Sequence, residues 1–304
     1  MIRLSDLDPT DRVGQLLWIG FEGTTPGADL ERLVRRVRPG GLILFGRNIV
    51  SAPQVRALND ALFRMLKVPP FLALDQEGGR VNRLRPILGA TPSPLALATL
   101  PQPRRAVERH AVATALALKS LGFNVNFAPV LDLSGPDPDN GIGDRAFGTD
   151  PLRVAELAAR FLRVHLRAGV IPIGKHFPGL GAARADTHRT LPVIRAGRDH
   201  LWRRDLLPYR RLRRQLPGVM VGHAYYPQLQ GRRPSPASLA RPVVEGLLRR
   251  RIGYRGLVLT DDLEMGAVDA AMDGGDRALA ALLAGSDGLM FCRDVDRILQ
   301  AQAG

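Results

Sequence analysis

The sequence contains almost no cysteine, and this bounds its redox and metal chemistry. Its 304 residues include one cysteine, Cys292, so the chain alone cannot form an intrachain disulfide or supply a cysteine-based metal cluster. Cys292 ends the apolar run GLMFC, where a small buried thiol without a catalytic role is expected. A single cysteine fits a reducing compartment, and we predict a cytoplasmic location.

Long hydrophobic runs are also missing. The longest apolar stretches have the length of a strand, and the first residues lack a basic start followed by an apolar segment. These features predict a soluble, unexported protein without a membrane partner.

Aromatic residues are scarce, although the chain is strongly basic. Phe, Trp and Tyr make up 5% of a chain whose formal net charge is +14. The paired arginines lie in helix-like segments with almost no aromatic residues between them to stack on bases. We therefore predict no nucleic-acid partner. Salt-sensitive binding to unrelated duplexes would instead indicate a nucleic-acid-binding protein. A positive field favours an anionic small substrate over a cationic one.

Eight short apolar runs recur along the chain and indicate buried parallel strands. They are LLWIGF, GLILFG, PFLALD, VNFAPVLDL, VIPIGKH, GVMVGH, GLVLTDD and GLMFC. Helix-like stretches with apolar residues three and four positions apart lie between most of them, at 53–66, 105–121, 151–168 and 236–251. This alternation predicts an α/β protein with a (β/α)8 TIM-type barrel. An open sheet that binds a dinucleotide is disfavoured because no GxGxxG follows the first strand.

The sequence shows no boundary between domains. It contains no repeat, low-complexity tract or linker, so we predict a single catalytic domain, 1–304. We also predict that the protein is a monomer. Only residues 293–304 follow the eighth apolar run, so the last helix is expected to be short or truncated.

The segment 174–192, GKHFPGLGAARADTHRTLP, is the richest in reactive side chains. Asp186 and His188 lie on the same side of an extended segment, where the carboxylate can orient the imidazole as an acid/base group. An isolated Asp-x-His more often has no function. A metal site that joins these residues to His176 and His223 is the weaker alternative, since the spacing fits no compact ligand cluster. We predict no metal and no cofactor.

Lys175 is notable because lysine is rare here: only Lys67, Lys119 and Lys175 occur among 43 basic residues. Lys175 follows an apolar strand and precedes a histidine. A compact ammonium suits hydroxyl and carbonyl oxygens of a ligand better than the flat fork of arginine does. Chance retention of the lysine is the alternative.

Two further strand ends carry carboxylates. In GLVLTDDLEMGAV, 256–268, one of two adjacent aspartates can face the barrel mouth as a nucleophile, while Asp262 is the better candidate to cap a helix beginning near Glu264. In LALDQEGGRVNRLR, 72–85, Asp75 ends a strand, and a glycine pair permits a tight turn before Arg80, Arg83 and Arg85, so that a carboxylate facing arginines can bind polar ligand groups. A structural salt bridge explains this second pattern equally well.

Together these segments resemble a known family. The motifs DQEGGRVNRLR, NVNFAPVLDL, DRAFGTDP, GKHFPGLGAARADTH, PASL and TDDLEMGAV, in this order, are similar to those of the family 3 glycoside hydrolases. Within that family they resemble the bacterial single-domain β-N-acetylglucosaminidases of peptidoglycan recycling. The resemblance extends from about residue 10 to residue 292.

The resemblance implies a retaining double displacement that releases non-reducing terminal β-N-acetylglucosamine from cell-wall fragments. It implies Asp261 as nucleophile and His188 as acid/base, oriented by Asp186. It further implies substrate binding by Asp75, Arg83, Arg145, Lys175 and His176.

The chain departs from the family pattern at Leu180, where family members usually carry histidine. Leucine cannot make the side-chain hydrogen bonds of that histidine, so we expect altered loop dynamics or a lower rate. Two alternative functions use the same site: a β-N-acetylglucosaminide phosphorylase, in which phosphate replaces water, and a non-catalytic sugar-binding barrel.

Overall fold

The structure, a computed structural model, describes residues 3–135, 141–184, 187, 190–268 and 271–303. The predicted catalytic pair, Asp186 and His188, lies outside the described residues. All statements on architecture below concern the described ranges.

Eight strands form a closed parallel barrel, which confirms the predicted fold class. The strands of the chain are β1 Leu17–Gly20, β2 Gly41–Ile43, β3 Phe71–Leu74, β4 Gln76–Gly78, β5 Val81–Asn82, β6 Val125–Asn126, β7 Ile171–Phe177, β8 Gly218–Val221, β9 Leu257–Asp262 and β10 Gly288–Phe291. Going round the barrel, the order is β1-β10-β9-β8-β7-β6-β3-β2, and β1 closes it by pairing with both β2 and β10. The remaining strands, β4 and β5, form a small antiparallel hairpin directly after β3.

The barrel interior is filled by side chains rather than open. Trp18 of β1 is 2% exposed and stacks on Phe71, with the ring centroids 5.0 Å apart. Gly41 and Gly288 on the neighbouring strands make room for it, because a Cβ atom added at either position would lie 2.3 Å or 2.9 Å from the indole. The apolar runs of the sequence are therefore strands buried on both faces, as a helix-covered parallel sheet requires.

The helices cover the outside of the barrel. They are α1 Pro9–Leu16, α2 Ala28–Val37, α3 Ala52–Met65, α4 Arg85–Leu88, α5 Pro94–Thr99, α6 Pro103–Ser120, α7 Pro151–Arg167, α8 Arg198–Arg203, α9 Leu207–Leu212, α10 Pro227–Gln230, α11 Gly274–Ala284 and α12 Val295–Ala303. A π-helical segment, Pro242–Arg251, precedes β9. The predicted helices at 53–66, 105–121 and 151–168 correspond to α3, α6 and α7 within two residues at each end.

Two sequence-based boundaries are wrong. The helix predicted at 236–251 begins only at Pro242, because Ala237–Leu239 form a separate 3-10 turn and Ala240 is extended between the two. The run VNFAPVLDL pairs as a strand only over β6, with a later isolated bridge from Val130 to Lys175. Pro129 has no N–H and cannot donate to a ladder, which shortens the strand.

No helix among the described residues is long and apolar enough to cross a membrane. The assignment of 1–304 to a single domain stays a prediction.

Candidate active site

A cavity of about 380 Å³ opens at the carboxyl ends of the barrel strands. All six predicted site residues that the structure describes line it: Asp75, Arg83, Arg145, Lys175, His176 and Asp261. They come from four different strand ends or following loops, and the parallel barrel brings these ends to one mouth. The arrangement is the one expected from polar residues that follow apolar runs.

Lys175 is the centre of a buried ionic cluster, which we call the clamp. Its Nζ atom lies 2.7 Å from Oδ1 of Asp75 and 2.6 Å from Oε1 of Glu77. Arg145 donates two hydrogen bonds of 2.8 Å to the two carboxylate oxygens of Glu77. Arg83 donates to Oδ2 of Asp75 at 3.3 Å. Three cations thus face two carboxylates, and the clamp retains one positive charge for a ligand.

The clamp keeps both of its carboxylates ionised. Burial alone would raise the pKa of each, because water no longer solvates the charge. The Lys175 ammonium and the Arg83 guanidinium outweigh burial at Asp75 and hold its pKa well below the usual range. At Glu77, Arg145 and Lys175 lower the pKa to about 2. Both carboxylates therefore accept hydrogen bonds only, and they orient the cations towards the cavity.

His176 is held from both sides. Its Nδ1 atom lies 2.6 Å from Oδ2 of Asp132, and its Nε2 atom lies 3.4 Å from an Arg145 nitrogen, which can only donate. We assign the ring proton to Nδ1 from these partners, so that Nε2 accepts. The other Asp132 oxygen accepts from the backbone N–H of Leu180 at 2.7 Å, which ties the glycine-rich segment to the barrel wall.

Asp261 lies at the end of β9, and its Oδ1 atom accepts the backbone N–H of Asp262 at 2.9 Å. Burial would raise the pKa of the Asp261 carboxyl, but the neighbouring His176 and His223 side chains, the Asp262 N–H and the Lys175 ammonium together lower it. The cavity wall therefore presents an ionised carboxylate in the same cavity as the clamp. Such a group can attack an electron-poor carbon.

Residues 10–303 match the family described as the glycosyl hydrolase family 3 N terminal domain. The chain belongs to glycosyl hydrolase family 3. This membership confirms the family predicted from the motifs.

Three named relatives are similar to this family 3 chain over most of its length. A β-hexosaminidase of Pseudomonas aeruginosa is 38% identical over 278 residues, covering 91% of this chain and 82% of its own. A family 3 β-N-acetylglucosaminidase from Paenibacillus is 33% identical with a TM-score of 0.90, covering 98% of this chain but only 57% of the longer relative. NagZ from Neisseria gonorrhoeae in complex with N-trifluoroacetyl-D-glucosamine is 28% identical with a TM-score of 0.86, covering 96% of this chain and 85% of that one.

Two carboxylates of the site were missed as site residues from the sequence. Glu77 is one of the two carboxylates of the clamp, and Asp132 is hydrogen-bonded to both His176 and the Leu180 backbone. Glu77 had a detectable signal, because the Asp75-x-Glu77 spacing places both side chains on one side of an extended segment. Asp132 had only its position after a strand-like run.

The loop predicted to carry the acid/base group is described only in part. Thr187, which stands between Asp186 and His188 in the sequence, is 7% exposed and lines the cavity, and its carbonyl accepts from the Ala267 N–H at 3.2 Å. Leu180 is 4% exposed and also lines the cavity, close to Gly222. The position that departs from the family pattern is therefore an apolar part of the cavity wall.

Asp262 differs from its neighbour in both partner and protonation. Its Oδ1 atom accepts the Glu264 N–H at 3.1 Å, which closes a turn. The predicted helix cap is wrong, because residues 263–268 form turns and bends and the next helix in the described ranges is α11 at Gly274. Burial, the Glu264 charge and the Asp261 charge raise the pKa of Asp262 to about 7.

Asp262→Asn is expected to stabilise the chain relative to the wild type as the pH rises from about 4 to above 7. The folded protein holds a proton on Asp262 that the unfolded chain releases above its ordinary pKa of 3.8, so wild-type stability falls as pH rises through this window. Urea unfolding of both proteins at pH 4.5 and pH 8 checks this. A stability difference that is the same at both pH values would contradict the raised pKa.

Proposed function

We propose that this chain is a β-N-acetylhexosaminidase that removes non-reducing terminal β-N-acetylglucosamine with retention of anomeric configuration. The observation that carries the proposal is the ionised Asp261 carboxylate at the end of β9, in the same cavity as the Lys175 clamp. Family membership and two relatives named for this activity support it. A retaining glycosidase needs a carboxylate nucleophile and a separate proton donor.

In the first step, Asp261 attacks the anomeric carbon of the bound sugar while His188 gives its proton to the departing glycosidic oxygen. The aglycone leaves, and a covalent glycosyl ester forms on Asp261. In the second step, His188 takes a proton from water, the water oxygen attacks the same carbon, and Asp261 is released as a carboxylate. An imidazole suits both roles because its ordinary pKa of about 6.5 permits donation and acceptance near neutrality. Asp186 orients this imidazole.

The clamp and His176 bind the sugar. The ammonium of Lys175 and the guanidiniums of Arg83 and Arg145 donate to sugar hydroxyls and to the acetamido carbonyl, while Asp75 accepts from hydroxyls. Because these groups are already fixed by one another, little ordering entropy is lost on binding.

The finer parts of the proposal rest on the motif resemblance. They are a substrate derived from peptidoglycan fragments, a cytoplasmic location and a monomeric state. The +14 net charge is compatible with fragments that carry carboxylates.

The test compares release of nitrophenol from the β-N-acetylglucosaminide and the β-glucoside, with and without phosphate, and follows the first sugar product by NMR. Selective release from the N-acetyl sugar, with the β-anomer appearing first, is the expected result. Accumulation of sugar 1-phosphate only when phosphate is present would identify a phosphorylase instead. No release by a folded protein that still binds N-acetylglucosamine would identify a sugar-binding barrel.

A further inference from the structure

Gln76 is a fully buried residue that lies between the two carboxylates of the clamp, Asp75 and Glu77. Its backbone N–H donates to Oδ1 of Asn126 at 3.0 Å, and its carbonyl accepts from Nδ2 of Asn126 at 3.1 Å. The Asn126 side chain, which is also fully buried, thus satisfies both backbone polar groups of Gln76, as a neighbouring strand would. It thereby fixes the stretch of backbone that carries the two clamp carboxylates.

The side chain of Gln76 fixes the hairpin that carries Arg83. Its Oε1 atom accepts the backbone N–H of Leu84 at 3.0 Å, and its Nε2 atom donates to Oδ1 of Asn82 at 2.9 Å. Asn82 in turn donates from Nδ2 to the Gly89 carbonyl at 2.9 Å. The residues on both sides of Arg83 are therefore bonded to Gln76, so this one residue connects the backbone of both clamp carboxylates with that of a clamp cation.

His165 of α7 determines which way the Asn126 amide points. Its Nδ1 atom lies 3.1 Å from the carbonyl oxygen of Phe161, which can only accept, so we assign the ring proton to Nδ1. Burial and the nearby His110 lower the pKa of His165 to about 4, so the ring is neutral near pH 7. Its Nε2 atom must then accept, and it lies 3.2 Å from Nδ2 of Asn126. A flipped amide would instead direct its oxygen at this unprotonated nitrogen.

This hydrogen-bond chain lies outside the cavity. Gln76, Asn126 and His165 are each 0% exposed, and none of them is among the described residues that line the cavity. A bound sugar therefore does not touch them, and any effect on binding must pass through the clamp. A clamp whose backbone is already fixed loses little ordering entropy when the sugar binds, whereas a loosened one must be ordered at that moment.

We infer that His165 and Asn126 are positioning residues of the sugar site: His165 orients the Asn126 amide, and through Gln76 this amide holds the clamp in the geometry that binds the sugar. The inference rests on the proposed glycosidase function. It deepens that function by naming two residues outside the cavity that set the affinity for the sugar.

The test compares two polar substitutions of different length, His165→Gln and His165→Asn. Glutamine can place an acceptor oxygen near the position of Nε2, whereas the shorter asparagine reaches only the position of Nδ1. His165→Asn is expected to raise the Kd for N-acetylglucosamine, measured by calorimetry, and the KM for nitrophenyl β-N-acetylglucosaminide about fivefold, the scale of one lost hydrogen bond. kcat should change less than twofold, because the clamp contacts are made before and during bond breaking. His165→Gln should stay within twofold of the wild type in all three constants.

A double-mutant cycle shows whether His165 acts through Asn126. Asn126→Ala alone is expected to raise the Kd about tenfold, because both bonds to the Gln76 backbone are lost. Adding His165→Asn to Asn126→Ala should then change the Kd less than twofold, since the group that His165 orients is no longer present. Independent, multiplying effects of the two substitutions would overturn the inference.

Leu157→Ala is the matched control for a purely structural loss. Leu157 is 1% exposed on the same helix, about two turns before His165, and its truncation leaves a cavity that lowers the free energy of unfolding. Kd and KM should stay at their wild-type values in this variant. A His165→Asn protein that is destabilised like Leu157→Ala but keeps the wild-type Kd would show that the chain only supports the fold. Failure of the wild type to bind and cleave the N-acetyl sugar would refute the glycosidase proposal instead, so the two failures are distinguishable.

Discussion

Asp261→Asn is expected to lower kcat on nitrophenyl β-N-acetylglucosaminide by about 10⁴-fold or more, the scale seen when a nucleophile is removed from a catalytic unit. The amide preserves the volume of the side chain and can still accept the Asp262 N–H, but it cannot form the glycosyl ester. Stopped-flow and steady-state release of nitrophenol measure the loss. Mass spectrometry of wild type quenched during turnover should find the sugar on the peptide that contains Asp261.

Chemical rescue separates a lost nucleophile from a disturbed fold. With Asp261→Gly, azide should enter the space left by the carboxylate, restore release from an activated aryl substrate and give an α-linked glycosyl azide. Asp262→Asn is the matched control, since it changes the adjacent carboxyl and leaves the ester-forming group intact. A turnover loss below tenfold in Asp261→Asn, or a β-linked azide, would remove Asp261 from the nucleophile role.

His188→Ala offers a contrast within the same experiment. If His188 donates the proton to the leaving group, the loss should be large for poor leaving groups and small for dinitrophenol, which departs without protonation. Asp261→Asn should show no such dependence. Equal losses in His188→Ala across all leaving groups would count against the acid role.

The barrel was predictable from the sequence because each strand is a continuous apolar run with a distinct border. Runs such as GLILFG and GVMVGH are buried on both faces, which is typical of strands in a parallel sheet covered by helices. The ends of elements were less predictable. The helix at 236–251 starts late and the strand after Phe123 stops early, because a single extended residue or a proline decides where each element begins or ends.

Part of the candidate site was predictable, because polar residues that directly follow the strands of a barrel come together at its mouth. Lys175 was singled out by its rarity and its position after an apolar run, and it is the centre of the clamp. Which carboxylates contact Lys175 was less predictable: Asp75 lies one hundred residues earlier in the chain, and the spacing of Asp75 and Glu77 does not indicate that both meet this lysine. Local patterns give the positions of reactive groups, whereas the closed barrel decides their partners.

The same reasoning explains why the pKa values of two adjacent aspartates shift in opposite directions. The sequence TDD distinguishes them only by alternation along a strand. In the folded chain, Asp261 faces the positive charges of the cavity, while Asp262 faces Glu264 and has lost water. Below about pH 7, the negative charge of the pair therefore lies mainly on the residue proposed to attack the sugar.

Glu77→Gln is expected to be the most destabilising change in the clamp, lowering the free energy of unfolding by about 3 kcal/mol at pH 7. Glu77 is 2% exposed and neutralises both Arg145 and Lys175. Removing its charge leaves buried cations without compensation, and breaking a buried pair from one side typically costs about 3–5 kcal/mol. Urea unfolding measures the loss. Binding of N-acetylglucosamine, measured by calorimetry, should weaken in parallel because Lys175 and Arg145 lose their orientation.

The exposed pair Arg56–Asp60, whose side chains are 51% and 37% exposed, provides the control. Asp60→Asn removes one carboxylate charge from an ion pair on a helix surface and should cost less than about 1 kcal/mol. A similar loss in both variants would mean that the clamp contributes no more than a surface pair.

The pH dependence identifies the charge as the cause of the Glu77 effect. The folded pKa of Glu77 is about 2 and its ordinary value is 4.5, so its contribution is complete above about pH 4.5 and is lost as the pH falls through 2. The difference in unfolding free energy between wild type and Glu77→Gln should therefore be largest at pH 7 and shrink at pH 3. A difference that stays constant between these pH values would mean that packing, rather than the charge on Glu77, holds this side of the cavity together.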